Sequence, residues 1–216
     1  AIEFDNVSYI YNAQTAKAKP ILENLSFKLK DNTITGFIGP SGSGKTTIAQ
    51  LIDGLMLPTE GRVTVGQVQL SGQHYPNNLN ELRLTVGFVF QNPETQFFCK
   101  TVQKEIEFAL KNFSFKLSEK DKRISDSLKM IGLNDTYLKR NPFELSQGEQ
   151  RKVAIATVLA YNPKVIILDE PTRDLDAPSR HHLIKLIKMM KLRYHKTIII
   201  MTTDTDMLHA LADDIY

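Results

Sequence analysis

Between Gly39 and Thr47 the chain reads Gly-Pro-Ser-Gly-Ser-Gly-Lys-Thr-Thr, which fits Gly-x-x-x-x-Gly-Lys-[Ser/Thr]. Glycines at 39, 42 and 44 let the backbone curl through Pro40, Ser41 and Ser43 so that successive N–H groups point inward. A helix-like run, Thr47-Ile-Ala-Gln-Leu-Ile-Asp53, follows and brings its positive dipole end to the same place. Such a loop holds phosphate. Lys45 can reach the β- and γ-phosphates as a mobile charge, and the Thr46 hydroxyl is placed to ligate Mg²⁺. A flexible Gly/Ser loop with a chance lysine would lack the apolar strand before it, Thr33-Ile-Thr-Gly-Phe-Ile38, and the helix after it.

Far along the chain, Asp169-Glu170 follows the apolar run Val165-Ile-Ile-Leu168. As an isolated pair these acids read as solvated surface groups. At the end of a central strand beside a phosphate loop they take separate roles. Asp169 can hold the Mg²⁺ shell, through water because Mg²⁺ keeps much of its hydration, and Glu170 can polarise the water that attacks the γ-phosphate.

These residues need elements to carry them. Ile2 to about Val68 reads as strands and turns; helical periodicity dominates from Thr101 to Tyr161. Thr101 opens a run with Val102, Ile106, Ala109 and Leu110 on one face. Ser118 with Asp121 suggests the capped start of a helix carrying Ile124, Leu128 and Ile131, which Gly132 ends. Ser146 and Glu149 form the capping box of a further helix, stopped at Asn162-Pro163. A strand over Lys164 to Leu168, a helix from about Pro178 to Arg193 and a strand over Thr197 to Thr202 follow, and Ala212-Asp-Asp-Ile-Tyr216 begins another strand. Late strands alternating with helices predict an α/β fold with a parallel sheet whose strand ends hold the ligand.

Composition narrows the class. At 216 residues the chain supports one domain with an insertion, and a formal net charge of +3, without a basic block, makes no electrostatic case for nucleic acid. A lone Cys99 excludes an internal disulfide and fits a reducing compartment. The longest apolar runs fall far short of the roughly 18 residues a bilayer span needs, and no signal peptide is visible. A soluble protein is expected, with any membrane role through a partner.

Three further segments carry a resemblance: Leu145-Ser-Gln-Gly-Glu-Gln-Arg-Lys-Val-Ala-Ile-Ala156, Glu170-Pro-Thr-Arg-Asp-Leu-Asp176 and Val89-Phe-Gln-Asn-Pro-Glu-Thr-Gln-Phe-Phe98. With the phosphate loop they resemble, in order and over the whole chain, the motifs of ABC-type ATPases. Asp53-Gly-Leu-Met-Leu-Pro-Thr-Glu-Gly-Arg-Val-Thr-Val-Gly66, Leu82-Arg-Leu-Thr-Val-Gly-Phe88 and Thr101-Val-Gln-Lys-Glu-Ile-Glu-Phe-Ala-Leu-Lys-Asn-Phe113 look most like the ATPase subunits of energy-coupling-factor importers for cobalt, nickel and vitamins. The resemblance implies a P-loop core, RecA-like, over 1–92 and 163–216 with an antiparallel β subdomain near the N-terminus, and a helical subdomain over about 93–162. It implies ATP and Mg²⁺ as ligands. Tyr11 matches the aromatic that stacks on adenine, the plainer alternative being a strand aromatic in the core. Gln91 matches the glutamine that touches Mg²⁺ or the attacking water and senses the membrane partner, the alternative being a turn residue before Asn92-Pro93. Ser146, Gln147, Gly148 and Glu149 match the signature motif, which acts on the ATP of a second chain packed head to tail, and Asp176 matches the aspartate that joins the two sites. Phe88, Phe90, Phe97 and Phe98 are expected mostly in the core, with one or two of the last pair lining a groove for a membrane partner's helix.

Two positions depart from that pattern. The usual Leu-Ser-Gly-Gly-Gln has become Leu145-Ser-Gln-Gly-Glu149, which keeps the helix cap but adds bulk at Gln147 and a negative charge at Glu149, so a weaker anion site is expected, the alternative being neutral drift. After Ile198-Ile-Ile-Met-Thr202 the family has histidine and this chain has Thr203. Its short uncharged hydroxyl should stabilise γ-phosphate transfer less well, and His181, His182, His195 and His209 lie elsewhere as surface or packing residues. Slow hydrolysis at the chain's own site follows, and with it a heterodimer with a more competent ATPase, bound to transmembrane scaffold and substrate-binding subunits at the cytoplasmic face. The alternatives are a nucleotide-binding structural subunit with negligible turnover and a soluble ABC protein acting on nucleic acid or ribosomes. The transported substrate is not encoded in the chain.

Overall fold

Two long strands open the chain, β1 (Ile2–Tyr11) and β2 (Lys19–Leu29), and β1 pairs antiparallel on its other edge with β4 (Glu60–Val65). With β5 (Val68–Leu70) they make an antiparallel sheet ordered β2-β1-β4-β5. In the computed structural model, which describes residues 1–216 with the side chains of Pro93 and Glu94 excepted, a second sheet is parallel. It runs β6-β7-β8-β3-β9, from β3 (Ile34–Ile38), β6 (Val86–Val89), β7 (Val165–Asp169), β8 (Thr197–Thr202) and β9 (Asp214–Ile215). The α/β class with a parallel sheet and an N-terminal antiparallel β layer is as the sequence implies.

The unbroken apolar runs of β7 and β8 are buried along their whole length because both faces of the parallel sheet are covered. Side chains alternate between two cores. Val165, Ile167, Ile199 and Met201 point to the antiparallel sheet and α1 (Lys45–Asp53), while Ile166, Leu168, Ile198 and Ile200 point to the helices on the other side. Each such side chain contributes about 1.5–3 kcal/mol on burial. A one-residue slip would exchange the two sets, so register is firmly held.

The helical segment comprises α3 (Val102–Lys111), α4 (Leu117–Met130) and α5 (Gln147–Leu159), packed on one another through Val102, Ile106, Ile124, Leu128 and Ile155. Thr101 caps α3 by accepting from the Lys104 N–H, as its position predicts. The cap expected at Ser118 and Asp121 is wrong by two residues. Helix α4 starts at Leu117, and Glu119 reaches back to the Lys116 N–H at 3.4 Å, so Ser118 lies inside the first turn. Glu119 is the acid three positions beyond an extended residue, which is what a carboxylate needs to reach back. Helix α2 (Leu79–Thr85) leads into β6; α6 (Ala177–Tyr194) precedes β8, and α7 (Thr205–Leu211) follows it. The helix expected over 178–193 is α6, and the last predicted strand is β9. Among the described residues no helix is long and apolar enough to cross a membrane.

Candidate active site

Sheet order converts distant motifs into neighbours. The carboxyl ends of β6, β7, β8 and β3 stand side by side, and they carry, in that order, Gln91, Asp169-Glu170, Thr202-Thr203 and the loop from Gly39. A cleft of about 290 Å³ opens there, lined by Ser41, Gly42, Gly44, Lys45, Thr46, Thr47, Gln91, Asp169 and Glu170. Six of the nine phosphate-loop residues and all three metal residues expected from sequence thus line one cleft.

The loop has the required backbone. Gly42 at φ 83° and Gly44 at φ 96° occupy the left-handed region, and Gly44 starts α1 so that this helix's free N–H groups face the cleft. A Cβ on Gly39 would lie 2.7 Å from the Ser43 hydroxyl, so a side chain there would have to displace Ser43. The Lys45 ammonium donates to the Gly39 carbonyl and, at 2.9 Å, to that of Pro40. It therefore lies across the loop mouth, where an anionic group would meet it.

Glu170 is held from several sides. It stands at φ 45°, uncommon for a residue with a side chain, and its N–H continues the sheet by donating to the Met201 carbonyl at 2.8 Å. Its carboxylate accepts from the Thr202 hydroxyl at 3.0 Å and from the Thr203 N–H at 3.1 Å. So Thr203 meets Glu170 through its backbone, while its exposed side chain lies outside the cleft lining. Burial, and then the neighbouring Glu170 charge, raise the pKa of Asp169, with Lys45 and Arg173 opposing. A cation in the cleft would relieve both causes. Thr46, Gln91 and Asp169 offer hydroxyl, amide and carboxylate oxygens, a hard donor set that suits Mg²⁺ with phosphate and water completing its shell.

A second hollow, about 190 Å³, lies at the start of α5 between it and α6, lined by Ser146, Gly148, Glu149, Lys152, Ser179 and His182. The capping box is present: the Ser146 hydroxyl accepts from the Glu149 N–H, and the Glu149 carboxylate from the Ser146 N–H. A hydrogen bond from Tyr137 holds Glu149 below the usual carboxylate range, against burial and with help from Ser146 and Arg140, whose guanidinium is 3.8 Å away. Its charge is thus partly answered within the chain. Gln147 is exposed on the first turn. Gly148 packs so closely on α6 that a Cβ would be 2.6 Å from the Ser179 hydroxyl, and Asp176 caps α6 through the Ser179 N–H at 2.8 Å.

Tyr11 lies outside both hollows, 55% exposed at the end of β1. Phe88 and Phe97 are buried as expected, while Phe98 is exposed and stands edge-on to Phe108 at 4.6 Å. A groove of about 980 Å³ runs between α1, β6, α3 and α5, with Phe88, Phe90, Phe108, Phe113 and Phe115 in its walls. The sequence reading missed several supports. Ile21 and Arg173 line the cleft. Arg180 donates to Asp204 through its Nε at 3.0 Å and one terminal nitrogen at 2.9 Å, and Thr172 donates to the same carboxylate at 3.1 Å. The Glu105 carboxylate accepts from the Phe98 and Cys99 N–H groups, both at 2.5 Å, and so shapes the loop that leaves Gln91. Arg151 is buried on α5. Its signal was available, since Arg151 stands in the apolar stripe of Ala154, Ile155 and Val158.

A phosphate loop, a strand-end Asp-Glu pair and a separate capping box beside a hollow on one chain are the features expected of an ABC ATPase, and the ABC transporter sequence profile matches residues 22–173. The chain belongs to the ABC transporter family. Within it, the chain is 42% identical over 191 residues to the energy-coupling factor transporter ATP-binding protein EcfA2 of Streptococcus thermophilus, covering 88% of this chain and 68% of that one. EcfA2 of Streptococcus agalactiae is 40% identical over 218 residues, covering all of this chain and 76% of the relative. Among solved structures, cbiO1 of Clostridium perfringens, part of the ABC transporter complex cbiONQ, superposes with a TM-score of 0.87 at 30% identity, over all of this chain and 83% of that one. The cassette MJ0796, a dimer bound to ADP and Pi in a post-hydrolysis state, gives 0.83 at 29% identity over 98% and 91%. This is therefore an ABC-type ATPase of the energy-coupling-factor group, an ATP-binding enzyme of transport.

Proposed function

We propose that this chain is one of two ATPases in an energy-coupling-factor importer, and that ATP binding between two such chains drives uptake of a vitamin or metal ion through membrane partners. One observation supports this above the others: the phosphate-loop cleft and the hollow at Ser146 are lined by entirely different residues, so each chain carries halves of two sites. A second chain packed head to tail brings the Ser146 end of its α5 to the triphosphate held by Gly39–Thr47, and Asp176 lies where the two sites meet. That MJ0796 was solved as a dimer with ADP and Pi supports a two-chain reading. Tyr11 is assigned to the adenine ring, and the groove walled by Phe90 and Phe108 to a helix of a membrane scaffold subunit at the cytoplasmic face.

In this reading Thr46, Gln91 and Asp169 would hold Mg²⁺, which when bound would supply positive charge to offset the negative charge of the phosphates. Lys45 moves from the loop carbonyls to the β- and γ-phosphates. Glu170 accepts hydrogen bonding from the attacking water as general base, and closure excludes bulk water. Thr203 gives the γ-phosphate no charged partner, so turnover at this site is slow and a heterodimer with a more competent ATPase is the working pair.

The reading is tested by purifying the chain alone and with its co-expressed membrane and ATPase partners. Hydrolysis that requires the assembled complex, and a measurable share of it lost in Glu170→Gln, are expected. A chain that alone forms a fast-hydrolysing homodimer would overturn the heterodimer, and co-purification with ribosomes or nucleic acid in place of membrane subunits would overturn the importer.

A further inference from the structure

We propose that Arg151 is a positioning residue that ties the signature helix α5 to the catalytic carboxylate of the same chain. The guanidinium is 1% exposed and reaches out of α5 into the segment between β7 and α6. One of its terminal nitrogens donates to the carbonyls of Glu170 at 3.2 Å and Pro171 at 2.6 Å, and the other to that of Arg173 at 3.1 Å. This segment is tightly folded. Glu170 at φ 45° and Asp174 at φ 61° both stand in the left-handed region, and its turns close through Arg173 N–H to Glu170 carbonyl and Leu175 N–H to Thr172 carbonyl. Such a conformation persists only where the surroundings determine it.

Arg151 supplies that determination. Its planar fork satisfies three consecutive-turn carbonyls at once with fixed geometry, which a lysine ammonium on a flexible stem cannot do. On the opposite side Thr202 and Thr203 hold the carboxylate of the same Glu170. Glu170 is therefore fixed by its backbone from α5 and by its side chain from β8.

The location of Arg151 gives this clamp a consequence. It follows Ser146 by five positions on one rigid helix, about 7.5 Å along the axis. Movement of the Ser146 end of α5, which Gly148 seats against Ser179, reaches the Glu170 backbone through Arg151. Engagement of a partner's triphosphate at Ser146 then sets the position of the base acting on the chain's own triphosphate. This inference rests on the two-chain reading above.

The test uses the assembled complex with Arg151→Gln, Arg151→Lys, Glu170→Gln and the Arg151→Gln/Glu170→Gln pair. Binding of a fluorescent ATP analogue to the phosphate loop should stay within about two-fold. The Glu170-dependent share of hydrolysis should fall by about ten-fold or more in Arg151→Gln, with little change in KM, since a misplacement near 1 Å is enough for such a loss. Arg151→Lys should recover part of it. In the Glu170→Gln background the Arg151→Gln change should have no further effect, whereas a general loss of structure would multiply the two. Wild-type hydrolysis in Arg151→Gln, or multiplicative losses in the pair, overturns the proposal. Should Arg151→Gln not assemble, Arg151→Lys carries the same comparison. Failure of the underlying reading looks different: Glu170→Gln itself would then leave the rate unchanged, and the positioning role would fall with it.

Discussion

Lys45 bears the plainest consequence at the residue scale. Its ammonium lies at the loop mouth on two backbone carbonyls, so a triphosphate offers it stronger, charge-assisted partners than it has. Lys45→Ala should weaken ATP binding by about 10- to 100-fold, the equivalent of one hydrogen bond to a charged group, as nucleotide titration would show. Thr203 is subtler. Its N–H helps to hold Glu170 while its side chain is exposed, so replacing that side chain leaves the clamp on Glu170 intact. Thr203→His should raise turnover of the reconstituted transporter by roughly ten-fold through added stabilisation of the γ-phosphoryl during its transfer to water. An unchanged rate would remove the argument for slow hydrolysis at this site.

At the scale of elements, α5 and α6 meet closely at Gly148, whose added Cβ would be 3.1 Å from that of Ser179 and would force the two apart or Ser179 to shift. Gly148→Val should therefore push the start of α5 away from α6. Hydrolysis by the complex should drop while ATP binding to the phosphate loop of the isolated chain is kept, since that loop is on other elements. Helix α1 carries a different liability at its far end. Burial raises Asp53 from 3.8 to about 7, with Arg83 pulling it back, and the group lines the aromatic groove. Because the folded pKa exceeds the unfolded one, the associated stability is complete below about pH 4 and is lost as pH rises to about 7. Asp53→Asn should then raise the melting midpoint at pH 8 by a few degrees and leave it unchanged near pH 4. A gain of equal size at both pH values would show that ionisation is not the cause.

At the scale of the molecule, the chain is organised around halves. In the proposed assembly each of its two hollows takes its complement from another chain, so closure and hydrolysis become properties of a pair. Glu170→Gln, combined with Mg-ATP, should hold that pair closed, giving a long-lived dimer by light scattering where the wild type cycles. Dimer lifetime equal in the two would argue against closure being released by hydrolysis. Much of this was legible beforehand. Gly39–Thr47, the strand-end pair Asp169-Glu170 and the capping box of Ser146 and Glu149 are local chemistry, set by backbone freedom and by which side chains reach neighbouring N–H groups, so the linear order of residues was enough to find them. The start of α4 was misplaced because two acids, Glu119 and Asp121, competed for one cap. Only the tertiary structure decided which distant groups meet. Sheet order set Gln91, Glu170 and Thr202 side by side, and helix packing put Arg151 beneath Glu170 and Arg180 on Asp204. Those contacts join residues far apart in the chain, and they exist because burying both faces of one parallel sheet leaves its strands a single compatible arrangement.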